Sequence, residues 1–370
     1  MVAQLISPQT IFVFISLLLG ITIILSVADI LLGGHGQSLL MINRGNDLEK
    51  EFPVSGKGRG TLLDALSENK IFIPSACGGK GTCGHCKVKV ENGGGAILPT
   101  EENFLSFEEK KDGVRLACQL KVREDIDINL PGGLLEAQEY TAEVVALEGL
   151  TYDIKLLKLK LLVPETIDFK PGQYVQILVP GYEEFRAYSI ASPPSQKDAV
   201  EYNIRYQDKG MCTTYIHKAL EHGDRVKLTG PYGDFFLRED SDRDIICIGG
   251  GAGMAPLRSM VYHLKEQGMP RNTRFYFGAR TEDDLFYVRD MRNIEEKYPN
   301  FKFYIALSEP QQQNDWEGET GFITDVVKKY EGSLEDAEGY LCGPPPMLDA
   351  AISVLTEKGM PEEQILLDKF

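Results

Sequence analysis

Ile245-Ile246-Cys247-Ile248-Gly249-Gly250-Gly251-Ala252-Gly253-Met254-Ala255-Pro256 (IICIGGGAGMAP) sets a run of apolar residues against a glycine-rich turn. Four apolar residues ended by glycines read as a buried strand, and the residues from Pro256 onward open a helix. Glycines at such a strand-to-helix turn let the backbone N–H groups approach a dinucleotide diphosphate at the helix start. Downstream the pattern keeps alternating: a helix over Pro256–Gln267, the strand RFYFGAR, a helix through Met291–Lys297, the strand FKFYIAL, a helix near Thr324–Tyr330, the strand GYLCG and a helix over Met347–Lys358. That alternation predicts a parallel sheet covered by helices, a Rossmann-like nucleotide-binding domain over residues 239–370. Gly249, Gly250, Gly251 and Gly253 are its candidate diphosphate contacts.

After the strand RFYFGAR come Thr281, Glu282, Asp283 and Asp284. Carboxylates there would repel the 2′-phosphate of NADPH and accept hydrogen bonds from a ribose diol, so the expected nucleotide is NADH; Arg280 is the dissenting cation.

Residues 134–238 read as a second domain. The runs TAEVVAL, IKLLKLKLL, QYVQILV, EYNIRY and RVKLTG are spaced as in a small antiparallel barrel, with a helix over Thr213–Glu221. In Arg186-Ala187-Tyr188-Ser189 a cation, an aromatic and a hydroxyl follow a strand: Arg can pair with a diphosphate, Tyr can pack on an isoalloxazine and Ser can hydrogen-bond its edge. Gly210-Met211-Cys212-Thr213-Thr214 then opens the helix, and small residues with N–H and hydroxyl donors at a helix start make a phosphate cradle. The bland reading of Arg186–Ser189 is an ordinary half-buried strand. Either motif alone is weak evidence for a flavin site.

Residues 37–133 form a third unit, with short strands (LLMIN, KVKVE, IDINL), a helical patch at Leu62–Glu68 and a break at Pro131-Gly132-Gly133. Cys77, Cys83 and Cys86 lie within ten residues and Cys118 follows beyond them, giving the four thiolates that a [2Fe-2S] cluster needs. A zinc site is the competing reading, but zinc sites usually show two separated pairs of close ligands, whereas here three share one Gly-rich loop. The plant-type ferredoxin pattern has four residues between the first two cysteines; this chain has five. His85 reads as an exposed loop residue.

From Ile11 to Ala28 the sequence IFVFISLLLGITIILSVA carries no charge, and an 18-residue helix is about 27 Å long, close to a bilayer core. The alternatives are a cleaved signal peptide or a buried core helix, and residues 1–10 hold no Lys or Arg, unlike a secretory signal peptide. Residues 1–36 are therefore expected to be a retained single-pass anchor in the inner (cytoplasmic) membrane. Arg44, Lys50, Lys57 and Arg59 beyond it place the soluble domains in the cytoplasm. A net charge of -16 argues against nucleic acid as a partner.

Arg186, Tyr188 and Ser189, with Pro231-Tyr232-Gly233, resemble the Arg-x-Tyr-Ser signature and domain exit of the ferredoxin-NADP reductase superfamily. Cys342-Gly343-Pro344-Pro345 resembles its Cys-Gly-Pro-Pro, whose cysteine lies near the nicotinamide; a structural buried cysteine is the alternative for Cys342. With the anchor and the five-residue cysteine spacing, the whole chain resembles the F subunits of sodium-translocating NADH:quinone oxidoreductases. The resemblance implies four parts: a transmembrane helix, a β-grasp ferredoxin domain, an antiparallel FAD-binding barrel and the NADH domain. It is a multidomain α+β and α/β chain. The resemblance also implies partner subunits in the membrane, quinone reduction coupled to sodium export, and an aromatic near the C-terminus packed on the flavin, here Phe370. In the family's usual ending a Gly follows that aromatic.

The implied reaction is hydride transfer from NADH to the flavin, then single electrons to the cluster. Hydride transfer needs no general acid or base, so the candidate catalytic set, Cys342, Ser189 and Tyr188, is expected to position and to tune electrostatically. Two rivals remain: the reductase component of a multicomponent oxygenase, which joins the same three modules, and a membrane-tethered ferredoxin that only carries electrons.

Overall fold

The computed structural model describes residues 8–32, 38–54, 60–182, 184–311 and 316–369. The chain divides into two compact units, Met1–Asn69 with Gly79–Gly132, and Lys70–Gly78 with Gly133–Phe370.

Helix α1 (Pro8–Leu32) has 25 residues, and its side chains are described at 12–24. Among the described residues no helix is long and apolar enough to cross a membrane. Within 12–24, however, apolar side chains are exposed at every position except Ser16, Gly20 and Thr22, from Phe12 to Ile24. Successive residues point around a helix at about 100° intervals, so apolar groups surround the cylinder.

The rest of the first unit is a mixed five-stranded sheet: β1 (Ser38–Ile42), β2 (Lys50–Val54), β3 (Lys87–Asn92), β4 (Val114–Leu116) and β5 (Ile126–Asn129), in the order β2-β1-β5-β3-β4. The β1–β5 pair is parallel and the others are antiparallel. Alternate residues of β1 and β5 are buried, including Leu40, Ile42, Ile126 and Ile128. Helix α2 (Leu62–Glu68) buries Leu62, Ala65 and Leu66; Thr61 and Asp64 close a capping box at its start. Helix α3 (Phe107–Lys111) is capped likewise by Ser106 and Glu109.

Inside this unit lies a buried ion pair. Arg115 on β4 reaches Glu101 with Nη2 at 2.6 Å and Nε at 3.0 Å and donates to the carbonyls of Gly94, Gly95 and Ala96. Glu101 in turn accepts from the Leu116 N–H at 2.8 Å. The loop over residues 94–101 is thereby fastened to the strand that leads to Cys118.

Helix α4 (Gly132–Leu135) leads into the second unit. Its first layer holds β6 (Gln138–Gly149), β7 (Ile154–Val163), β8 (Tyr174–Val179), β9 (Glu184–Ser189), β10 (Ala199–Arg205) and β11 (Arg225–Tyr232). The sheet is wholly antiparallel in the order β10-β7-β6-β11-β8-β9. It curls toward closure: the Ala191 N–H, just past β9, donates to the Glu201 carbonyl on β10 at 2.7 Å. Its interior is Val144, Leu157, Leu159, Val175, Ile177, Tyr202, Ile204 and their neighbours. Helix α5 spans Met211–Lys218 rather than Thr213–Glu221. Extended Gly210 supplies the earlier N-cap, and the N–H groups of Ala219 and Leu220 both turn back to the Tyr215 carbonyl, which ends the helix sooner.

The second layer is a parallel sheet of β12 (Asp244–Gly250), β13 (Thr273–Ala279), β14 (Phe301–Leu307), β15 (Glu319–Thr320), β16 (Ala337–Gly343) and β17 (Ile365–Lys369), ordered β15-β14-β13-β12-β16-β17. Helices α6 (Met254–Glu266), α7 (Val288–Lys297), α8 (Ile323–Tyr330) and α9 (Pro345–Glu357) connect them. Two apolar clusters include opposite-facing residues of β12, Ile245 and Cys247 in one, Ile246 and Ile248 in the other. Helix α6 starts at Met254, before Pro256, because proline is tolerated in a first turn.

Burial works against ionisation of Glu101, yet the Arg115 hydrogen bonds, the N–H groups of Leu98 and Leu116 and the Arg115 charge outweigh it and hold the carboxyl below its ordinary value. Such a group adds stability above its unfolded pKa and loses it as pH falls through the lowered value. Glu101→Gln should cost about 3–5 kcal/mol at neutral pH by leaving Arg115 buried and unpaired. Thermal unfolding across pH should show that penalty shrinking toward acid.

Candidate functional site

The carboxyl edge of the parallel sheet gathers the nucleotide motifs. Gly249, Cys342 and Asp368 are register partners across β12, β16 and β17. Gly251 takes φ +54, and a Cβ on Gly253 would stand 2.1 Å from the Cys342 carbonyl oxygen, so only glycine lets these two loops meet. A Cβ on Gly343 would lie 2.4 Å from the Met347 methyl. Above them is a cavity of about 500 Å³, whose walls include Gly250, Gly251, Arg280, Phe322, Pro346 and Met347. The fit to a dinucleotide rests on these glycine-lined walls, on the start of α6 and on Arg205 of β10. The Arg205 guanidinium lies 2.6 Å from where a Gly251 Cβ would stand, with Nε 3.1 Å from Asp153.

On β9, Ser189 donates through Oγ to Asp368 Oδ2 at 2.9 Å, and Cys342 donates through Sγ to the same oxygen at 3.6 Å. Burial pushes Asp368 above the ordinary carboxylate value, although the hydroxyl and thiol donors work the other way. Burial, and then the Asp368 carboxylate, push the Cys342 thiol well up. A separate cavity of about 300 Å³ runs along Tyr174, Gly233, Leu366 and Asp368. Tyr188 is fixed from below: burial, and then its contact with the Cys212 sulfur, push the phenol up, while burial raises the Cys212 thiol to about 11.

The remaining flavin candidates spread out. Arg186 donates to the carbonyls of Ala76 and Phe185 and pairs with Glu184 at 2.8 Å. Gly210 caps α5, while Thr213 Oγ1 is engaged by Gln207 and the Gly210 carbonyl, inside its own turn. Thr214 shares a hydrogen bond with Tyr206. Phe370 lies outside the described residues.

Arg258 on α6 links the two layers of this unit. Its Nη1 donates to the Ala191 carbonyl and to Glu201, each at 2.9 Å, and Ser259 Oγ donates to the Ser192 carbonyl at 2.7 Å. Nothing in the sequence singles out Arg258, Arg205, Phe322 or Asp368: Arg258 has the look of an ordinary helix charge, and Asp368 has no motif around it.

In the first unit the Cys86 thiol donates to Cys118, and Cys83 adds electrostatic repulsion to Cys86. The Cys118 thiol is lowered, first by Cys86 and then, against burial, by the Gln119 side chain and the Gly81 N–H, while Cys86 is pushed up. Gly81 and Gly84 have φ +72, and Cβ atoms there would collide with Gln119 and Phe104. Cys77, 6% exposed, closes the segment Lys70–Gly78 that belongs to the second unit. His85 is exposed. Among the described residues no three His, Cys, Asp or Glu side chains converge on one ion. A two-iron cluster with four cysteine ligands takes two thiolates at each iron, so thiols meeting in pairs, as Cys86 and Cys118 do, suit it.

Three family models match: a 2Fe-2S iron-sulfur cluster binding domain at residues 46–123, an oxidoreductase FAD-binding domain at 141–237 and an oxidoreductase NAD-binding domain at 247–352. FAD, NAD and a [2Fe-2S] cluster are accordingly the cofactors of these domains. The chain is 36% identical to the F subunit of a Na(+)-translocating NADH-quinone reductase from Neisseria gonorrhoeae, covering 96% of this chain and 97% of the relative. It is 35% identical to that of Pseudoalteromonas atlantica over the same shares. Among solved structures it is similar to the Amycolatopsis cytochrome P450 reductase GcoB (TM-score 0.72, 30% identity, 90% of this chain and 98% of that one). It is also similar to a ferredoxin reductase in carbazole 1,9a-dioxygenase (TM-score 0.67, 28% identity, 91% and 99%).

Ser189→Ala and Asp368→Asn should each slow NADH-driven flavin reduction by about tenfold to a hundredfold through lost positioning, with nucleotide affinity retained. In stopped-flow traces the parent rate should also titrate with an apparent pKa above the ordinary carboxylate value, a limb that Asp368→Asn removes.

Proposed function

Because the chain belongs to the family of F subunits of the Na(+)-translocating NADH-quinone reductases, we propose that it is the electron-input subunit of a sodium-exporting NADH:quinone oxidoreductase. It takes a hydride from NADH and delivers single electrons to other subunits in the membrane. The observation that carries this reading is the convergence of Ser189 from the barrel and Cys342 from the nucleotide domain on the Asp368 carboxylate.

Bound FAD would supply the conversion of a two-electron hydride into single electrons, and the [2Fe-2S] cluster would accept them one at a time. The chain's own residues do the placing. Gly249–Gly253 and Arg205 would hold the nucleotide diphosphate at the start of α6, where backbone N–H groups favour an anion. Cys342, uncharged and buried, would border the nicotinamide without competing for its positive charge. Ser189 keeps its hydroxyl proton directed at Asp368 Oδ2, and Tyr188 is anchored by Cys212 so that its ring can pack on the isoalloxazine. Arg186 would pair with the flavin diphosphate, with Gly210, Cys212, Thr213 and Thr214 shaping the start of α5 behind it. Gly343 keeps the Cys342 turn open beside Met347. Cys77, Cys83, Cys86 and Cys118 would ligate the cluster.

Residues 1–36 would form the single-pass anchor in the cytoplasmic membrane, with residues 37–133, 134–238 and 239–370 as ferredoxin-like, FAD and NADH domains in the cytoplasm. Support comes from the ring of exposed apolar side chains on α1, which lipid would cover and water would not. An oxygenase reductase, which would share the three soluble modules, leaves that helix unexplained.

Anaerobic titration of the detergent-extracted protein with NADH should bleach the flavin and then raise a reduced [2Fe-2S] paramagnetic signal; unchanged spectra would refute the proposal. Removing residues 1–36 should free the protein from detergent while both spectral changes persist.

A further inference from the structure

Strand β13 ends at Ala279, and the chain turns there into Arg280-Thr281-Glu282-Asp283-Asp284. In doubly wound nucleotide folds a carboxylate near this place receives the ribose 2′-hydroxyl, whereas an arginine accommodates a 2′-phosphate. This chain holds both, since Arg280 and Asp284 line the same 500 Å³ cavity. They are not independent. Arg280 Nη2 lies 3.5 Å from Asp284 Oδ1 and donates to Tyr152 Oη at 2.5 Å, and Tyr152 Oη donates to Asp284 Oδ1 at 3.2 Å. Tyr152 sits in the turn between β6 and β7, so the third corner of this triangle comes from the barrel layer.

Asp284 is buried, which by itself favours protonation. The Thr281 N–H at 3.0 Å, the Arg280 charge and the Tyr152 hydroxyl outweigh burial and hold the carboxyl below its ordinary value, so it stays ionised. The neighbouring carboxylates are directed elsewhere: Glu282 accepts from the Gln311 N–H at 3.2 Å and Asp283 from Gln311 Nε2 at 2.9 Å.

We propose that the Arg280–Asp284–Tyr152 triangle sets the choice of NADH over NADPH by neutralising and aiming away a cation that would otherwise receive a 2′-phosphate. The chain thus carries a latent 2′-phosphate site held shut by two side chains. A phosphate entering there must displace the Tyr152 oxygen from Arg280 and stand beside the Asp284 carboxylate, whereas a 2′-hydroxyl can donate to that carboxylate and leave the triangle closed. The inference rests on the reading that this cavity takes the adenosine half of a pyridine nucleotide.

The test is calorimetric binding of 5′-AMP and of 2′,5′-ADP to the full-length detergent-solubilised protein, which reads the pocket independently of electron transfer. The parent should prefer 5′-AMP. Tyr152→Phe, an exposed-loop change that removes only a hydroxyl, should shift the ratio toward 2′,5′-ADP. Combined with Asp284→Asn, which keeps an oxygen for the Thr281 N–H, it should shift the ratio by about tenfold. Adding Arg280→Ala should erase that gain. An unchanged ratio in the double variant, or a gain that survives Arg280→Ala, would overturn the proposal. If the parent binds neither ligand, the reading of the cavity fails first, and the inference falls with it.

Discussion

The geometry of the second unit depends on one buried guanidinium. Arg258 starts from the first turns of α6, directly beyond the glycine-rich turn, and ends on the Ala191 carbonyl and on Glu201 in the barrel. Its charge is neutralised by Glu201, which also takes Lys158 at 3.0 Å, and its plane lies 4.4 and 4.5 Å from the ring centres of Tyr262 and Tyr287. Ala191 is two residues past Ser189. The contact therefore ties the strand bearing Arg186-Ala187-Tyr188-Ser189 to the helix that begins the nucleotide turn, and an arginine removed from water at this depth holds only where its partners are fixed. Two residues before that link, Ser189 meets Asp368.

Steric constraint does for the nucleotide turn what charge does for the layer contact. Gly253 approaches the Cys342 carbonyl more closely than any side chain permits, whereas Gly249 and Gly343 lie against the movable ends of the Leu257 and Met347 side chains. The turn after β12 and the turn after β16 are thus one piece of backbone surface, and Cys342 is held 1% exposed at its border. Burial keeps the proton on its thiol.

Much of this was legible in residues 245–256 and 342–345, where strand, glycines and helix follow one another within a few positions, and in the cysteine spacing, where chemistry requires four sulfurs. The α/β alternation was visible because the apolar runs of β12, β13 and β14 are buried on both faces. What could not be read was anything made by long-range pairing. Arg258 looks in sequence like any helix arginine; only the barrel's Glu201 and Ala191 make it a buried lock. Strand β17 (ILLDK) is an edge strand of half-buried residues with no strong alternation, so the sequence carries no strand signal for it after α9. Tyr152 lay in a turn more than a hundred residues from the Arg280 and Asp284 it joins, and in the ferredoxin unit Glu101 gave no sign that Arg115 would need it.

Asp368 shows why that blindness matters for mechanism. A parallel edge strand delivers it opposite Cys342, so the carboxylate enters the site through sheet pairing rather than through a motif. Its hydrogen-bond donors are a hydroxyl and a thiol, both neutral, and burial leaves it harder to ionise than a carboxylate in water. A carboxylate held permanently ionised would be given a nearby cation or backbone donors; this one is given weak donors and little water. The arrangement suits a group that orients Ser189 and Cys342 and whose charge state is easily changed. Hydride transfer moves two electrons and a proton together, so under the proposed function what the protein must supply is alignment and a tolerant electrostatic environment, and these three residues, from three separate strands, are the groups proposed to supply both.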